Sequence, residues 1–326
     1  MKLFTTFFCA LMVVYLAGCA IASPTATSTP TPQVASPTEP PTEVAAQNQP
    51  EDQLPLFELV QTISLPFIPH DIAVSPDGKL FAIELGASRV HKLDGTGNVL
   101  ASWGEAGSEA GQFAFAPPPD GPPLDGGFVV VGANGNVYVS DSYNNRVQVF
   151  DANGKFLAMW EGYGDENTPF NNPGPISADA QGMIYVADFE GAHQFDRDGN
   201  YIRTLRAAGE IAFDSQGNLF TVVAFENIAM KIPPTGGEPL VWGSQGTENG
   251  QFLTPMWVVA VSDTVYISDH SGRIQQFDSE GNFLGVWSDP ANGDAPLTAP
   301  NALALDAAGQ LYVASKDRRT VYILQP

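Results

Sequence analysis

Few side chains in this sequence have the chemical type and spacing that catalysis or metal binding requires. The chain has 326 residues but only four His and two Cys. No Ser/His/Asp, Cys/His or Gly-rich phosphate motif stands out along it. The side chains that could form a site are His70, Asp71, Glu210, Trp257 and Asn301, which lie far apart in sequence. Whether they meet depends on the elements that carry them.

Those elements are copies of one unit, which recurs six times at a period of roughly 45 residues. Each copy places an aromatic residue after a turn and, in all but the fourth copy, a polar residue three further on, as Gly135, Tyr138 and Asp141 do. Gly and Asn at the turns supply the positive φ that tight hairpins need. Each copy is therefore predicted to be a four-stranded antiparallel sheet. Such a sheet cannot bury both faces alone, so the copies must stack around an axis.

Two joins between copies share the pattern WGxxGxxxGQF, at residues 103–113 and 242–252. With NNRVQVFD at 144–151, this pattern resembles the NHL repeat. The resemblance covers residues 54–326 and implies an all-β, six-bladed β-propeller. Residues 56–65 form a predicted strand without partners before it, whereas the sixth copy lacks its fourth strand. We expect this N-terminal strand to complete the last blade, which removes two free sheet edges.

The N-terminal residues 1–19 have the features of a secretion signal. Lys2 is the only charged residue, and the apolar stretch after it is too short to span a membrane. Leu16-Ala17-Gly18-Cys19 resembles the bacterial lipobox, which implies cleavage before Cys19 and lipid on that residue. More than one acyl chain would give a stable anchor. The prediction is a lipid-anchored protein of the cell envelope, exposed outside the cytoplasm.

Residues 20–53 are rich in Pro, Thr and Ser and contain no aromatic residue. Such a segment cannot form a core and is predicted to be a disordered tether. At about 3.1 Å per residue it could reach ~100 Å from the bilayer. Cys9 lies in the signal and Cys19 at the lipid site, so no disulfide is expected in the propeller.

The charge balance limits the possible partners. The chain carries 36 acidic and 14 basic residues, a formal net charge of −22. A nucleic acid is therefore not an expected partner, because its binding needs patches of Lys and Arg. We expect a monomer whose partner is a protein, a peptide or a glycan.

Counting back eight residues from each turn glycine gives the residues at the mouth of the central channel. His70 and Asn301 fall at such positions, and aligning the apolar strand of blade five places Trp257 there as well. Asp71 and Glu210 follow directly after two of these positions. These five residues are the predicted ligand-binding residues.

Some proteins with the propeller that the resemblance implies are enzymes. Peptidyl-hydroxyglycine amidating lyases hold a metal through three His from separate blades near the axis. Only His70 stands at such a position here, because His91 and His193 fall in third strands and His270 in a loop. A zinc site needs its imidazole ligands to converge. Lyase activity is therefore not expected.

A second enzymatic hypothesis uses oxygen ligands. Asp71, Glu210 and Asn301, with His70, could surround a divalent cation such as calcium. A metal-dependent hydrolase resembling the lactonase propellers is thus the alternative function. The main prediction is a non-catalytic binding or scaffold module without a cofactor.

Other recurring residues are assigned structural roles. The acids at the ends of second strands, Glu84, Asp141, Asp188 and Asp269, are expected to accept hydrogen bonds from loop amides. The tryptophans that end fourth strands are expected to pack between blades: Trp103, Trp160, Trp242 and Trp287. Three inserts, at residues 114–126, 162–173 and 288–300, expand the joins and are candidate specificity loops.

Overall fold

The computed structural model describes residues 57–117, 126–162, 170–207, 209–287, 300–315 and 318–325. These residues form 24 strands in six four-stranded antiparallel sheets. The inner strand of each sheet contacts the inner strand of the next, and the last contacts the first. The predicted six-bladed propeller is thereby confirmed. Cys19, the predicted tether and most of the three inserts lie outside the described residues.

The first half of the ring contains three regular blades. Strand β1 (Glu58–Ser64) precedes them. Blade one consists of β2 (Ile72–Val74), β3 (Leu80–Glu84), β4 (Arg89–Leu93) and β5 (Val99–Trp103). Blade two consists of β6 (Phe128–Val131), β7 (Val137–Asp141), β8 (Arg146–Phe150) and β9 (Phe156–Glu161). Blade three consists of β10 (Ile176–Ala178), β11 (Ile184–Ala187), β12 (Ala192–Phe195) and β13 (Tyr201–Leu205).

The second half repeats this order and ends with a shortened copy. Blade four consists of β14 (Ile211–Phe213), β15 (Leu219–Val223), β16 (Ile228–Ile232) and β17 (Leu240–Trp242). Blade five consists of β18 (Pro255–Val261), β19 (Thr264–Asp269), β20 (Ile274–Asp278) and β21 (Phe283–Trp287). Blade six has β22 (Pro300–Leu305), β23 (Leu311–Ser315) and β24 (Thr320–Gln325).

Strand β1 closes the ring as predicted. It pairs antiparallel with β24, and the sheet order is β1-β24-β23-β22. Ile63 of β1 lies opposite Val321 and is buried. Because β1 covers the outer edge of β24, the two ends of the propeller are held together by main-chain hydrogen bonds.

The turns before the fourth strands show why Asp and Gly recur at the same spacing in several copies of the repeat. In blade two the Oδ1 atom of Asp151 accepts hydrogen bonds from the backbone N–H groups of Asn153 (2.8 Å) and Lys155 (2.9 Å). Gly154 in the same turn has a φ of +85°. That conformation strains any residue with a Cβ atom, which is why Gly recurs there.

The WGxxGxxxGQF joins are fixed by an arginine of the blade that follows. The Arg146 guanidinium donates to the carbonyl oxygens of Ser108 and Gln112, at 2.7 and 2.8 Å, and to the carboxylate of Asp141 at 2.7 Å. Phe113 at the end of the motif is fully buried. Arg273 makes the corresponding contacts with the second join. The motif is thus a structural join, as its sequence indicated.

Helical structure is nearly absent from the described residues. Two single 3₁₀ turns, Leu85–Ala87 and Ser142–Asn144, follow the second strands of blades one and two. Within the described part of the chain, no helix has the length and apolar character needed to cross a membrane.

Candidate functional site

The centre of the ring holds a cavity of about 220 Å³ that inner-strand residues of all six blades line. Most of its walls are Val, Ile, Ala and Leu side chains. Asp71 and Glu210 are the only residues with ionisable side chains among the described residues that line it. The structure therefore brings together two of the five predicted site residues as a carboxyl pair at the channel.

Asp71 is buried, and hydrogen bonds orient its carboxyl group. Its Oδ1 atom accepts from the backbone N–H of Ile72 at 2.9 Å, and its Oδ2 atom accepts from that of Val129 at 2.8 Å. The indole of Trp257 is a third donor. Burial outweighs these bonds and raises the pKa of Asp71 to about 7. This carboxyl therefore links blades one, two and five and titrates near neutral pH.

Glu210 differs from Asp71 because it keeps part of its surface accessible. The narrow channel still replaces most of the water around its carboxyl group. This desolvation, followed by the nearby charge of Asp71, raises the pKa of Glu210 well above its ordinary value. The pair therefore carries less charge near pH 7 than two free carboxylates would.

The three remaining predicted residues have different positions. Trp257 lines the cavity, but His70 and Asn301 are not among its lining residues. The Asn301 amide donates to the carbonyl oxygens of Pro69 and His70, both at 2.8 Å, which joins blade six to blade one. Asn301 is the extra residue of a β-bulge, because Pro300 pairs with Ser315 and Ala302 with Ala314. A bulge re-aims its side chain, so counting alone could not give this orientation.

A zinc site with three imidazole ligands does not fit the residues present. Within the described residues, no three His, Cys, Asp or Glu side chains come together as metal ligands. His91 lies in β4, where its ring contacts the Ser102 hydroxyl at 2.7 Å and Glu84 at 2.9 Å. His193 lies in β12 and contacts Thr204 at 2.9 Å. Both positions agree with the sequence prediction.

The acids at the ends of second strands bind loop amides, as predicted. Asp141 accepts from the backbone N–H of Ala114 at 2.7 Å. Asp188 accepts from that of Asn171 at 2.8 Å, and Asp269 from that of Ser271 at 2.9 Å. Glu84 is engaged by His91 instead. These carboxylates therefore hold joins and loops in place.

Two exposed phenylalanines are features that the sequence-based site prediction missed. Phe189 is 75% exposed and Phe225 is 99% exposed. Both follow second strands, in adjacent blades three and four. The end of each second strand pairs with the start of the inner strand, as Val186 does with Ile176. These loops therefore open on the same end of the ring as Glu210. The signal was visible in the sequence as one aromatic residue in each otherwise polar loop.

Residues 127–150 match the NHL repeat. The match covers most of blade two, the copy whose strands and turns follow the repeat pattern most closely. It supports the propeller architecture that the described strands show.

Two curated relatives are similar over parts of the chain. A probable peptidyl-α-hydroxyglycine α-amidating lyase from Caenorhabditis elegans is 31% identical over 132 residues, which is 38% of this chain and 35% of that protein. A peptidyl-glycine α-amidating monooxygenase from Xenopus laevis is 27% identical over 240 residues, 65% of this chain and 24% of that protein. The chain thus matches about a third or less of the length of these relatives.

Solved structures share the fold at low sequence identity. A virginiamycin B lyase from Staphylococcus aureus has a TM-score of 0.53 and 15% identity, covering 83% of this chain and 99% of that one. A streptogramin B lyase has a TM-score of 0.52 and 15% identity, covering 82% of this chain and 97% of that one. At such identity the likeness concerns the fold alone.

Proposed function

We propose that this chain is a non-catalytic binding module of the cell envelope, which binds a basic segment of a protein or peptide on the channel-mouth face. The observation that carries the proposal is the carboxyl pair of Asp71 and Glu210 at the channel, on the face where Phe189 and Phe225 are exposed. Exposed aromatic residues are frequent anchors of protein interfaces.

The channel suits the side chain of Lys or Arg. A cavity of about 220 Å³ accepts a single side chain, and its two carboxyl groups lie at the end from which that side chain would enter. The ammonium or guanidinium group would then lie against Glu210 and Asp71. An opposite charge favours the ionised form of both carboxyl groups, so binding would release protons near pH 7. Of the three partner classes predicted, the carboxyl pair favours a peptide or protein over a glycan.

The test uses random peptides displayed on phage and selected on the full chain. Wild type should enrich peptides with Lys or Arg next to an aromatic or aliphatic residue, and Glu210→Gln should lose that enrichment. Glu190→Gln, which removes an exposed acid from a neighbouring loop, is the matched control. Phe225→Ser should weaken a selected peptide by about tenfold. Enrichment without basic residues, or unchanged by Glu210→Gln, would contradict the proposal.

The affinity of a selected peptide should also depend on pH. Because the pKa values of both carboxyl groups are raised, that of Asp71 to about 7, the pair gains charge as the pH rises. Binding at pH 8 should therefore be about tenfold tighter than at pH 6. Titration calorimetry measures both the affinity and the protons released. A flat pH profile would exclude the pair from binding.

The similarity to a probable amidating lyase favours one other candidate, cleavage of α-hydroxyglycine peptides. The described residues do not supply the three imidazole ligands that the resemblance implies for such a site. Metal analysis of the purified chain and an assay for amidated peptide decide between the two. A stoichiometric divalent ion together with turnover, both lost in Glu210→Gln, would replace the binding proposal.

The proposed location rests on the lipobox-like tetrad and the tether composition. Lipid on Cys19 would hold the propeller at the membrane, and residues 20–53 would separate it from the bilayer. Radiolabelled palmitate should be incorporated into wild type but not into Cys19→Ser. If the Cys19→Ser chain is labelled equally, the lipid is elsewhere.

A further inference from the structure

The tryptophans that end fourth strands show how neighbouring blades are packed together. We call the packing interface between blades two and three junction 2–3, and name the others in the same way. At junction 2–3, Trp160 of blade two contacts Tyr138 of its own second strand, with ring centroids 5.6 Å apart. It also contacts Phe195 at the end of the third strand of blade three, at 5.4 Å. Its indole lies so close to Gly199 that a Cβ atom there would overlap it. The ring thus occupies the whole gap between the two blades.

The same arrangement occurs at two other junctions. Trp103 contacts Phe150 at 5.8 Å, and a Cβ atom on Gly154 would lie 2.5 Å from its indole. Trp242 contacts Phe277 at 6.0 Å, and a Cβ atom on Gly281 would lie 2.9 Å away. An indole, an aromatic ring and a glycine of the next blade therefore form a regular packing unit.

Junction 3–4 lacks two parts of that unit. Leu205 stands where Trp160 stands, and Ile232 takes the place of Phe195. Gly236 is still present with a φ of +75°, but nothing lies within 4 Å of the position of its Cβ atom. A pocket of about 780 Å³ lies here, between Tyr185 of blade three and the last turn of blade four. The pocket is on the opposite end of the ring from the channel mouth, beside the turns that follow the inner strands.

Two features keep this pocket from collapsing. Pro233 and Pro234 form part of its wall, and the fixed φ of proline limits how far this turn can move into the gap. Tyr185 is held by its hydroxyl, which donates to Asp179 at 2.8 Å and accepts from Gln194 at 2.9 Å. The volume falls in the range of small-molecule binding sites.

The pocket walls combine apolar groups with two cationic groups and one acidic group, Asp179, whose Oδ2 atom accepts from Tyr185. Met183, Met230 and Phe213 line it, and thioether sulfurs make favourable contacts with aromatic rings. Arg203 and Arg206 also line it. Arg203 donates from Nε to Gln194 at 2.7 Å, which leaves the outer nitrogens of its guanidinium group for other partners. Among the described residues, none forms a hydrogen bond or ion pair with Arg206.

We propose that junction 3–4 binds a small aromatic carboxylate. Its ring takes the place that Trp103, Trp160 and Trp242 have at their junctions and packs between Tyr185 and Gly236. Its carboxylate receives charge-assisted hydrogen bonds from Arg206 and Arg203, whose planar groups suit a carboxylate. The site is independent of the channel-mouth function, because it shares no acidic residue or exposed phenylalanine with that face.

The probes are indole-3-acetate, indole and tryptamine, which share the ring and differ in charge. Titration calorimetry on the full chain should show indole-3-acetate binding about tenfold tighter than tryptamine, with indole in between. Arg206→Gln should reduce the preference for the anion by roughly fivefold. Arg197→Gln, an equal charge change on an exposed residue outside the pocket, should leave it unchanged.

Leu205→Trp supplies the missing indole and should abolish binding of all three probes while raising the melting temperature. Leu157→Trp, on an exposed strand position, is its control. If Leu205→Trp does not fold, Ile232→Phe restores the other missing ring and should weaken binding. Three results would overturn the proposal: no probe binds to wild type, tryptamine binds as well as indole-3-acetate, or both pocket-filling variants bind like wild type.

Discussion

Junctions 2–3 and 3–4 occupy equivalent places in the ring but differ in what fills them. At junction 2–3 an indole contacts two rings and a glycine, and Trp160 is only 7% exposed. At junction 3–4 a leucine faces an isoleucine, and a pocket remains. The strands on both sides keep their pairing. Blade packing therefore tolerates the loss of one filled gap when the closed ring holds the sheets in place.

The difference shows where a repeat protein can gain a site. Main-chain pairing within each blade and ring closure by β1 do not depend on any single junction. A junction residue can therefore change to a smaller one at the cost of local packing only. The gap that results lies where an indole lies at junction 2–3, so an aromatic ligand can take that place.

The largest expected effect on stability comes from removing the indole that fills the gap between blades two and three. Trp160→Leu should lower the free energy of unfolding by roughly 2–3 kcal/mol, because it removes buried ring contacts and leaves a cavity. Chemical denaturation measures the change. Leu157→Ala, at an exposed position three residues earlier in β9, should cost under ~0.5 kcal/mol. If Trp160→Leu is as mild as this control, the indole does not hold the two blades together.

Gly199 and Gly236, which lie in the turns before the fourth strands of blades three and four, give a second test. Gly199→Ala should cost roughly 1–3 kcal/mol more than Gly236→Ala. Both have a positive φ, so the backbone strain is common to them, but only at Gly199 would the new Cβ atom overlap an indole. Denaturation of the two variants side by side isolates the overlap. Equal losses would mean that junction 3–4 is as tightly filled as junction 2–3.

A third, smaller effect should have the opposite sign. Leu205→Trp should raise the free energy of unfolding by about 1 kcal/mol, as cavity-filling changes commonly do. The gain should disappear in the double variant Leu205→Trp, Gly236→Ala if the indole packs on the glycine as at junction 2–3. An unchanged gain would place the new indole elsewhere.

Much of the architecture was predictable because local chemistry determines it. Turn residues such as Gly135 and the alternation in β8 set the strands, and six copies set the ring. The role of β1 followed from the missing strand of blade six and is confirmed. Packing of Trp160 between blades followed from its place at the end of a strand and is also confirmed.

The candidate site was predictable only in part. Asp71, Glu210 and Trp257 line the channel, but Trp257 lies level with Asp71 and not, as its alignment predicted, with His70, because Met256 is the extra residue of a bulge. The bulge at Asn301 turned that side chain toward main-chain carbonyls. A bulge adds one residue without a sequence marker, so spacing could not reveal it. The pocket at junction 3–4 was visible as Leu205 in a series of tryptophans. The volume of this pocket could not be predicted, because it depends on whether Ile232 and Pro233 move into the gap.

The smallest predicted effect concerns a carboxylate in the turn before the fourth strand, which blade three has at Asp196 and blade four lacks. Hydrogen bonds from the Asn200 side chain and from backbone N–H groups outweigh desolvation and lower the pKa of Asp196 beside junction 2–3. Blade four has Pro233 at the equivalent position and so lacks this carboxylate. A carboxyl group with a lowered folded-state pKa stabilises the protein above about pH 4, its unfolded value, and this stabilisation is lost as the pH falls.

Asp196→Asn should therefore cost about 0.5 kcal/mol at pH 7 and less than that at pH 3. The magnitude is small because solvent screens this turn. Asp198→Asn, the same charge change two residues further along the turn, is the control. Unfolding curves at the two pH values measure both. If Asp196→Asn costs as much at pH 3 as at pH 7, the carboxylate charge is not the cause. Turn geometry would then distinguish the turn at junction 2–3 from the proline turn of blade four.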